Sequence, residues 1–317
     1  MPPRIPLYRI ASLILALTVL TPGAIAAKNR SPEPQPATSG QPFETYESPF
    51  GYHLDLTGSD WTHWPQVSEH VSHPDIGGER WQGAFVSVPA CFTDWRPSKE
   101  AVRYALLRAI GHEYPTPGAR NPQPRRIGQQ EAASWERLLP REDELPLRFR
   151  YHLVNRGDCS HLFAVWTTLD EAALDTLSEE VIDAVSWSEP NAAADPVAQA
   201  WFYNAAGLYF HNAENHLDAV KGFALAARLD PQDKVYINNA ASTYNLLNRY
   251  QDGLAFMQHP DIQAQSDAMI QGWLGWFEYH LQNYPAAIDH YQRGFALGPL
   301  SEDDLYAYVQ SLLQQDR

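Results

Sequence analysis

Three histidines, His63, His70 and His73, stand close together with Glu69 and Asp75 among them. Imidazoles and carboxylates are the donors that zinc, copper or nickel accepts, and a helix would bring His70 and His73 onto neighbouring turns. Pro65 and Pro74 bracket the segment, and its spacing matches no closed zinc ligand set. The segment reads as a polar surface loop, with the three histidines kept as metal candidates. A second constellation is Cys159, His161 and Asp158, with Cys91 as the other thiol. A thiol nucleophile needs its base within hydrogen-bond reach, and on a strand Cys159 and His161 would point the same way. These two cysteines are the only ones in the chain. They either form a disulfide, which removes both thiols, or stand as two buried thiols acting as small apolar groups. The G-x-S-x-G, H-E-x-x-H and G-x-x-x-x-G-K-[ST] patterns are absent, and Arg156-Gly157-Asp158 is explained by a hairpin turn. No catalytic residue and no cofactor is nominated, and the expectation is a protein without enzymatic activity. The competing reading is an enzyme or metal-binding protein whose site lies among these histidines.

The elements that would position these groups read as strands. Leu147, Phe149, Tyr151 and Leu153 alternate with Arg148, Arg150 and His152, the pattern of a strand with one buried and one wet face. A turn over 155–158 and a returning strand over 160–168 complete a hairpin. Earlier strand candidates are 51–56, 82–90 and 129–138. Ser98 caps a helix that carries Ala101, Tyr104, Ala105, Leu107 and Ile110 and ends at Gly111. Pro115, Pro117, Pro122 and Pro124 then force a loop. A last helix begins near Glu171 with Leu174, Leu177, Val181 and Val185 on one face. The order predicts an α+β sandwich over 44–190, with a mainly antiparallel sheet and flanking helices.

Beyond it, the chain repeats with a period of 34 residues over 200–233, 234–267 and 268–301. Gly207, Ala241 and Gly275 fall in register, as do Ala219, Gly253 and Ala287, and the bulky Phe223, Met257 and Tyr291. Such a helix pair buries its apolar face only by stacking on copies of itself. Pro260 stands where Ala226 and Gly294 stand in the neighbouring units. Helix B of the second unit should therefore stop by His259 and leave 261–267 irregular. Ser301 caps a final helix over 302–315, which suits a solvating end cap.

Spacing and residue types over about 198–315 resemble the tetratricopeptide repeat. A weaker likeness of about 48–187 to the Mog1/PsbP-like fold rests on Phe50-Gly51-Tyr52-His53-Leu54-Asp55-Leu56 with Trp61 behind it. Ile127-Gly128-Gln129-Gln130-Glu131-Ala132 and the final hairpin with its helix extend that likeness, while 62–80 fits it badly. Neither family implies a shared catalytic site; the repeat implies protein or peptide binding in a groove lined by the first helix of each pair. The matching positions are Trp201, Asn204, Leu208, His211, Val235, Asn238, Ser242, Asn245, Met269, Gly272, Trp276 and Tyr279. Amide groups there would hold a peptide backbone, and aromatics its side chains. None is Lys or Arg, so a carboxylate clamp is not expected. The alternative is that several of them pack on the N-terminal domain.

The N-terminus bears on where this would happen. Arg4 and Arg9 precede an uncharged run over 10–20, a Thr-Pro-Gly break and Ala24-Ile25-Ala26, which reads as a secretory signal over 1–26. Residues 27–43 are rich in Pro and small polar residues and read as a disordered tether. The net charge of −15 disfavours nucleic acid and anionic membranes as partners. The expected setting is periplasmic, with an envelope protein or peptide as partner and no membrane span once the signal is removed.

Overall fold

The computed structural model describes residues 41–64, 66–80, 83–112, 121–140, 145–190, 195–264 and 267–315, and the backbone alone at His70. The signal segment and most of the tether lie outside these residues. Phe43, placed by composition at the end of the tether, is instead buried against His63 and Phe85. An aromatic side chain next to a strand start gains more from burial than an extended tether offers it.

Among the described residues, ten strands form two sheets. The strands are β1 (Thr45–Ser48), β2 (Tyr52–Asp55), β3 (Thr62–His63), β4 (Ile76–Arg80), β5 (Gly83–Cys91), β6 (Gln123–Ile127), β7 (Gln130–Leu139), β8 (Leu147–Arg156), β9 (Cys159–Thr167) and β10 (Val185–Trp187). The large sheet is antiparallel in the order β3-β4-β5-β9-β8-β7-β6, and β1-β2-β10 form a small antiparallel sheet. With them lie α1 (Val67–His70), α2 (Lys99–Ala109) and α3 (Glu171–Asp183). Ser98 caps α2 by accepting from the Ala101 amide at 3.2 Å, and Asp170 caps α3 by accepting from that of Ala173 at 2.9 Å.

Period-two alternation puts Phe149, Tyr151 and Leu153 of β8 with Val86, Val88 and Leu162 under α2. Phe85, Val154, Phe163 and Val165 face the small sheet and α3. The face of β8 expected to be wet is covered. His152 and Arg150 are buried beneath α3, and Arg150 pairs with Glu136 and Asp175. Alternation tells which side chains share a face but not what lies over it. Val185 belongs to β10 rather than to the face of α3, because α3 ends at Asp183. β6 runs through Pro124, inside the stretch expected to be a loop. As an edge strand it tolerates the missing amide.

The remaining helices pair in sequence: α4 (Pro196–Asn212) with α5 (His216–Leu229), α6 (Lys234–Leu246) with α7 (Tyr250–Met257), and α9 (Ala268–His280) with α10 (Tyr284–Leu297). The short α8 (Pro260–Gln263) follows α7, and α11 (Glu302–Gln315) closes the described chain. Helix B of the second unit stops at Met257, as Pro260 demanded. Pro260 then opens α8 at a position where its lost amide costs nothing, so 261–263 are helical and Ile262 is buried. The small residues act as the register implied. A methyl on Gly207 would lie 2.7 Å from the Phe223 ring, and one on Gly275 would lie 2.8 Å from that of Tyr291.

The two parts share one core. Phe92 and Trp95, just beyond β5, hold Tyr203 between them, and Trp95 also meets Phe210. The Tyr203 hydroxyl accepts from the Asp94 amide at 3.0 Å. Tyr104 of α2 packs on Tyr209. Thus α2 and the end of β5 stand where a preceding repeat would, covering the first face of the stack.

Candidate functional site

The first-nominated chemistry disperses. His63 stacks on Phe43, whereas His73 lies edge-on to Trp201 at the boundary between the two parts. The Asp75 carboxylate accepts from the hydroxyls of Tyr46 (2.6 Å), Ser48 (2.6 Å) and Tyr52 (2.5 Å). Three hydroxyl donors thus engage both its oxygens, and burial with this carboxylate raises both tyrosine pKa values above the ordinary phenol range. Among the described residues no group of three or more His, Cys, Asp or Glu is placed to hold a metal ion. The side chain of His70 lies outside the described residues.

Cys91 and Cys159 face each other across β5 and β9 and are joined in a disulfide. Neither thiol is left as a nucleophile. His161, two residues along β9, is buried with no hydrogen-bond partner on either ring nitrogen among the described residues. Its ring meets the edges of Tyr52 and Trp187, and burial, aided by Arg156, holds its pKa down at about 4. Another imidazole is paired with hydroxyls: His152 lies 2.7 Å from the Ser134 Oγ and 2.8 Å from that of Ser178. The spacing of 134, 152 and 178 carries no motif, so this group was not legible in the sequence. Both ring nitrogens are taken by serines, and the trio ties α3 to β7 and β8.

Four of the nominated positions, Asn204, Asn238, Asn245 and Trp276, enter a hydrogen-bonded series across the first helices of the units. Asn239 of α6 donates its Nδ2 to the Asn204 Oδ1 of α4 at 2.9 Å. One repeat further on, Trp273 of α9 donates its Nε1 to the Asn238 Oδ1 of α6 at 3.0 Å. Both bonds span 35 residues, one period plus one. Trp276 donates to the Asn245 Oδ1 at 2.8 Å, two helical turns from the first bond on α6. The carbonyl oxygens of Asn238 and Asn245 therefore hold the units to one another. Both side chains are half-buried, and their amide NH₂ groups have no partner among the described residues. Sequence reading missed Asn239 and Trp273, which lie one position after the nominated Asn238 and Gly272. The signal available was the recurrence of a donor at an offset of 35.

The other nominated residues take varied places. Ser242 donates to the Asn239 carbonyl, and Leu208 is half-buried against the core. His211 lies beside His216 and Phe223, its pKa lowered by burial first and by the neighbouring imidazole second. Tyr279 lies beside Trp276 and Tyr284. Val235 is exposed, and Met269 half-buried. Gly272 faces the Asp304 carboxylate of α11, so it is covered by the following helix rather than open to a ligand. The contact with the N-terminal domain is made chiefly by Phe202, Tyr203, Tyr209 and Phe210. Of the groove positions, Trp201 is in ring contact with that domain, through His73.

No protein-family model and no curated protein matches the sequence. Among solved structures, the chain is similar to the first tetratricopeptide domain of Spaghetti (RPAP3), there bound to an HSP90 peptide. That likeness has 17% identity and TM-score 0.34, and covers 38% of this chain and 96% of that one. It is also similar to cyanobacterial PsbP from Synechocystis, with 12% identity, TM-score 0.33, and coverage of 49% and 99%. A protein from Bacteroides thetaiotaomicron is similar over 78% of this chain and 79% of that one, with 12% identity and TM-score 0.33. Tetratricopeptide and PsbP-like structures are thus both among the neighbours. The architecture is an antiparallel α+β domain followed by an all-α helical repeat domain.

Proposed function

We infer that this chain is a non-catalytic adaptor or assembly factor, secreted across the inner membrane, that grips an envelope protein or peptide along α4, α6 and α9. The observation that carries this reading is the asparagine–tryptophan series. It fixes three helices into one face and leaves amide donors at Asn238 and Asn245 beside the half-buried Trp273, Trp276 and Tyr279. Paired amides suit a peptide backbone, and rigid aromatics give contact area at small entropic cost. Two features support the location. The Cys91–Cys159 bridge belongs to an oxidising compartment, and the N-terminal run has the pattern of a secretory signal.

The test uses the whole chain as bait. Peptides selected on it from a random displayed library should lose about tenfold in affinity for the Asn238→Ala variant, the size of one amide hydrogen bond. They should lose more for Trp276→Ala. Selected peptides that bind both variants as well as the parent would place the binding face elsewhere.

A further inference from the structure

Advancing each first helix by one repeat carries α9 (Ala268–His280) onto α11 (Glu302–Gln315). The closing helix therefore sits as the first helix of a fourth unit, in phase with the other three. Its inner side agrees with the placement. Ala307 falls at the position of Trp273 and is fully buried, and Asp304 packs over Gly272. Ser301 and Asp304 cap it reciprocally, Ser301 accepting from the Asp304 amide at 3.1 Å while its own amide donates to the Asp304 carboxylate at 3.2 Å.

In the first unit the next face of the first helix is covered from two sides, Gly207 by Phe223 and Ala219 of α5 and Tyr203 and Phe210 by Phe92 and Trp95 of the N-terminal part. On α4 that face carries Tyr203, Ala206, Gly207 and Phe210, all buried. The same positions on α11 are Leu305, Tyr308, Val309 and Leu312. Leu305 is 43% exposed, Val309 49% and Leu312 37%, with Tyr306 at 60% and Leu313 at 54% beside them. Thus α11 buries Ala307 and Ser311 and packs Tyr308 on Tyr291 and Phe295, while Leu305, Val309, Leu312 and Leu313 stay exposed.

We propose that a second copy of this chain covers this exposed apolar face, the two α11 helices pairing antiparallel about a twofold axis near Val309. Three observations select this occupant. First, a second helix of a repeat runs antiparallel to the first, and an antiparallel pair of identical helices is an isologous, closed arrangement. Leu305 then meets the partner's Leu312, and the acidic starts at Glu302 and Asp303 lie at opposite ends instead of against each other. Second, head-to-tail stacking is blocked, because α2 and the segment after β5 already cover the first face of the stack. Third, the area suffices. The five side chains, with Phe295 packed beside Tyr308, leave roughly 500 Å² of apolar surface per copy. Homodimer interfaces are about 65% apolar, so this implies close to the ~800 Å² per partner that stable interfaces bury.

The full chain, measured by light scattering after size exclusion at tens of micromolar, should have twice the mass of one chain. Val309→Glu and Leu312→Glu should halve that mass without changing the circular dichroism, since both side chains are exposed in the single chain. The Val309→Cys variant should cross-link to itself on mild oxidation, in a chain whose own cysteines are already paired. A single-chain mass throughout, or a dimer that survives both glutamates, would overturn the proposal. So would a mass that climbs steadily with concentration, or a monomer that binds lipid vesicles through Val309 and Leu312. A Val309→Cys dimer that forms no cross-link would overturn the twofold placement.

Discussion

His161 is a neutral imidazole sealed in an aromatic pocket, and its consequence is a pH-dependent stability. Its folded pKa of about 4 lies below the ordinary 6.5, so between those values the unfolded chain binds a proton that the folded chain refuses. Stability is then full above pH 6.5 and falls as pH drops towards 4. Between about pH 7 and pH 5 this one group accounts for about 2 kcal/mol. The His161→Leu variant, which also removes two unpartnered nitrogens, should be no less stable at about pH 7. Its urea midpoint should fall less between about pH 7 and pH 5 than that of the parent; an equal fall in both would rule out the assignment. At this scale the sequence was a partial guide. The shared facing of Cys159 and His161 follows from period two, and the register of β5 on β9 makes the cysteines partners. The three clustered histidines misled, because closeness in sequence places His63 on β3 and His73 against α4, where packing takes both rings. Asp75 was legible as a carboxylate but not as the acceptor of three hydroxyls from β1 and β2, since nothing local announces a contact across 27 residues.

At the scale of elements, helix-pair contacts depend on a small residue facing a ring. Gly207→Val should cost about 1–3 kcal/mol, because its side chain would overlap Phe223 and crowd the Ala219 carbonyl. Gly298→Ala, where a methyl would lie 3.5 Å from Ala268 in extended backbone, should stay within about 0.5 kcal/mol. Thermal melts of both compare them; equal losses would mean that the close approach does not limit the stack. The helices were legible because the 34-residue register, the caps and Pro260 are local signals. The strands that escaped, β1, β3, β4, β6 and β10, have five residues or fewer each. Val185 was assigned to α3 because its spacing suits a helix, yet hydrogen bonding to β2, far along the chain, claims it. The asparagine–tryptophan series was only partly legible, since Trp276 was among the nominated positions but the donors Asn239 and Trp273 lie one position beyond theirs.

The whole molecule is one folding unit with two architectures. Phe202, Tyr203, Tyr209 and Phe210 lie between the parts, so a fragment of 195–317 would expose four aromatic rings, each worth about 1.5–3 kcal/mol of burial. Such a fragment should aggregate or bind an apolar dye, while the full chain should unfold in a single transition. A fragment that is monomeric and melts like the full chain would show that the shared core is dispensable. The acidic balance of −15 is spread over this assembly and leaves the groove positions themselves without Lys or Arg.

One covalent feature gains meaning from this joint. The bridged Cys91 ends β5, and the next residues, Phe92, Asp94 and Trp95, are those that hold Tyr203. The sulfur–sulfur bond therefore anchors the root of a ledge on which the helical array rests. Where it is formed, the ledge is tied covalently to the end of the sheet; where it is reduced, strand-end hydrogen bonds and the packing of Phe92 and Trp95 on Tyr203 retain it. The redox state of the surroundings is thus felt at the joint, and a bond within the sheet secures the footing of the helical array.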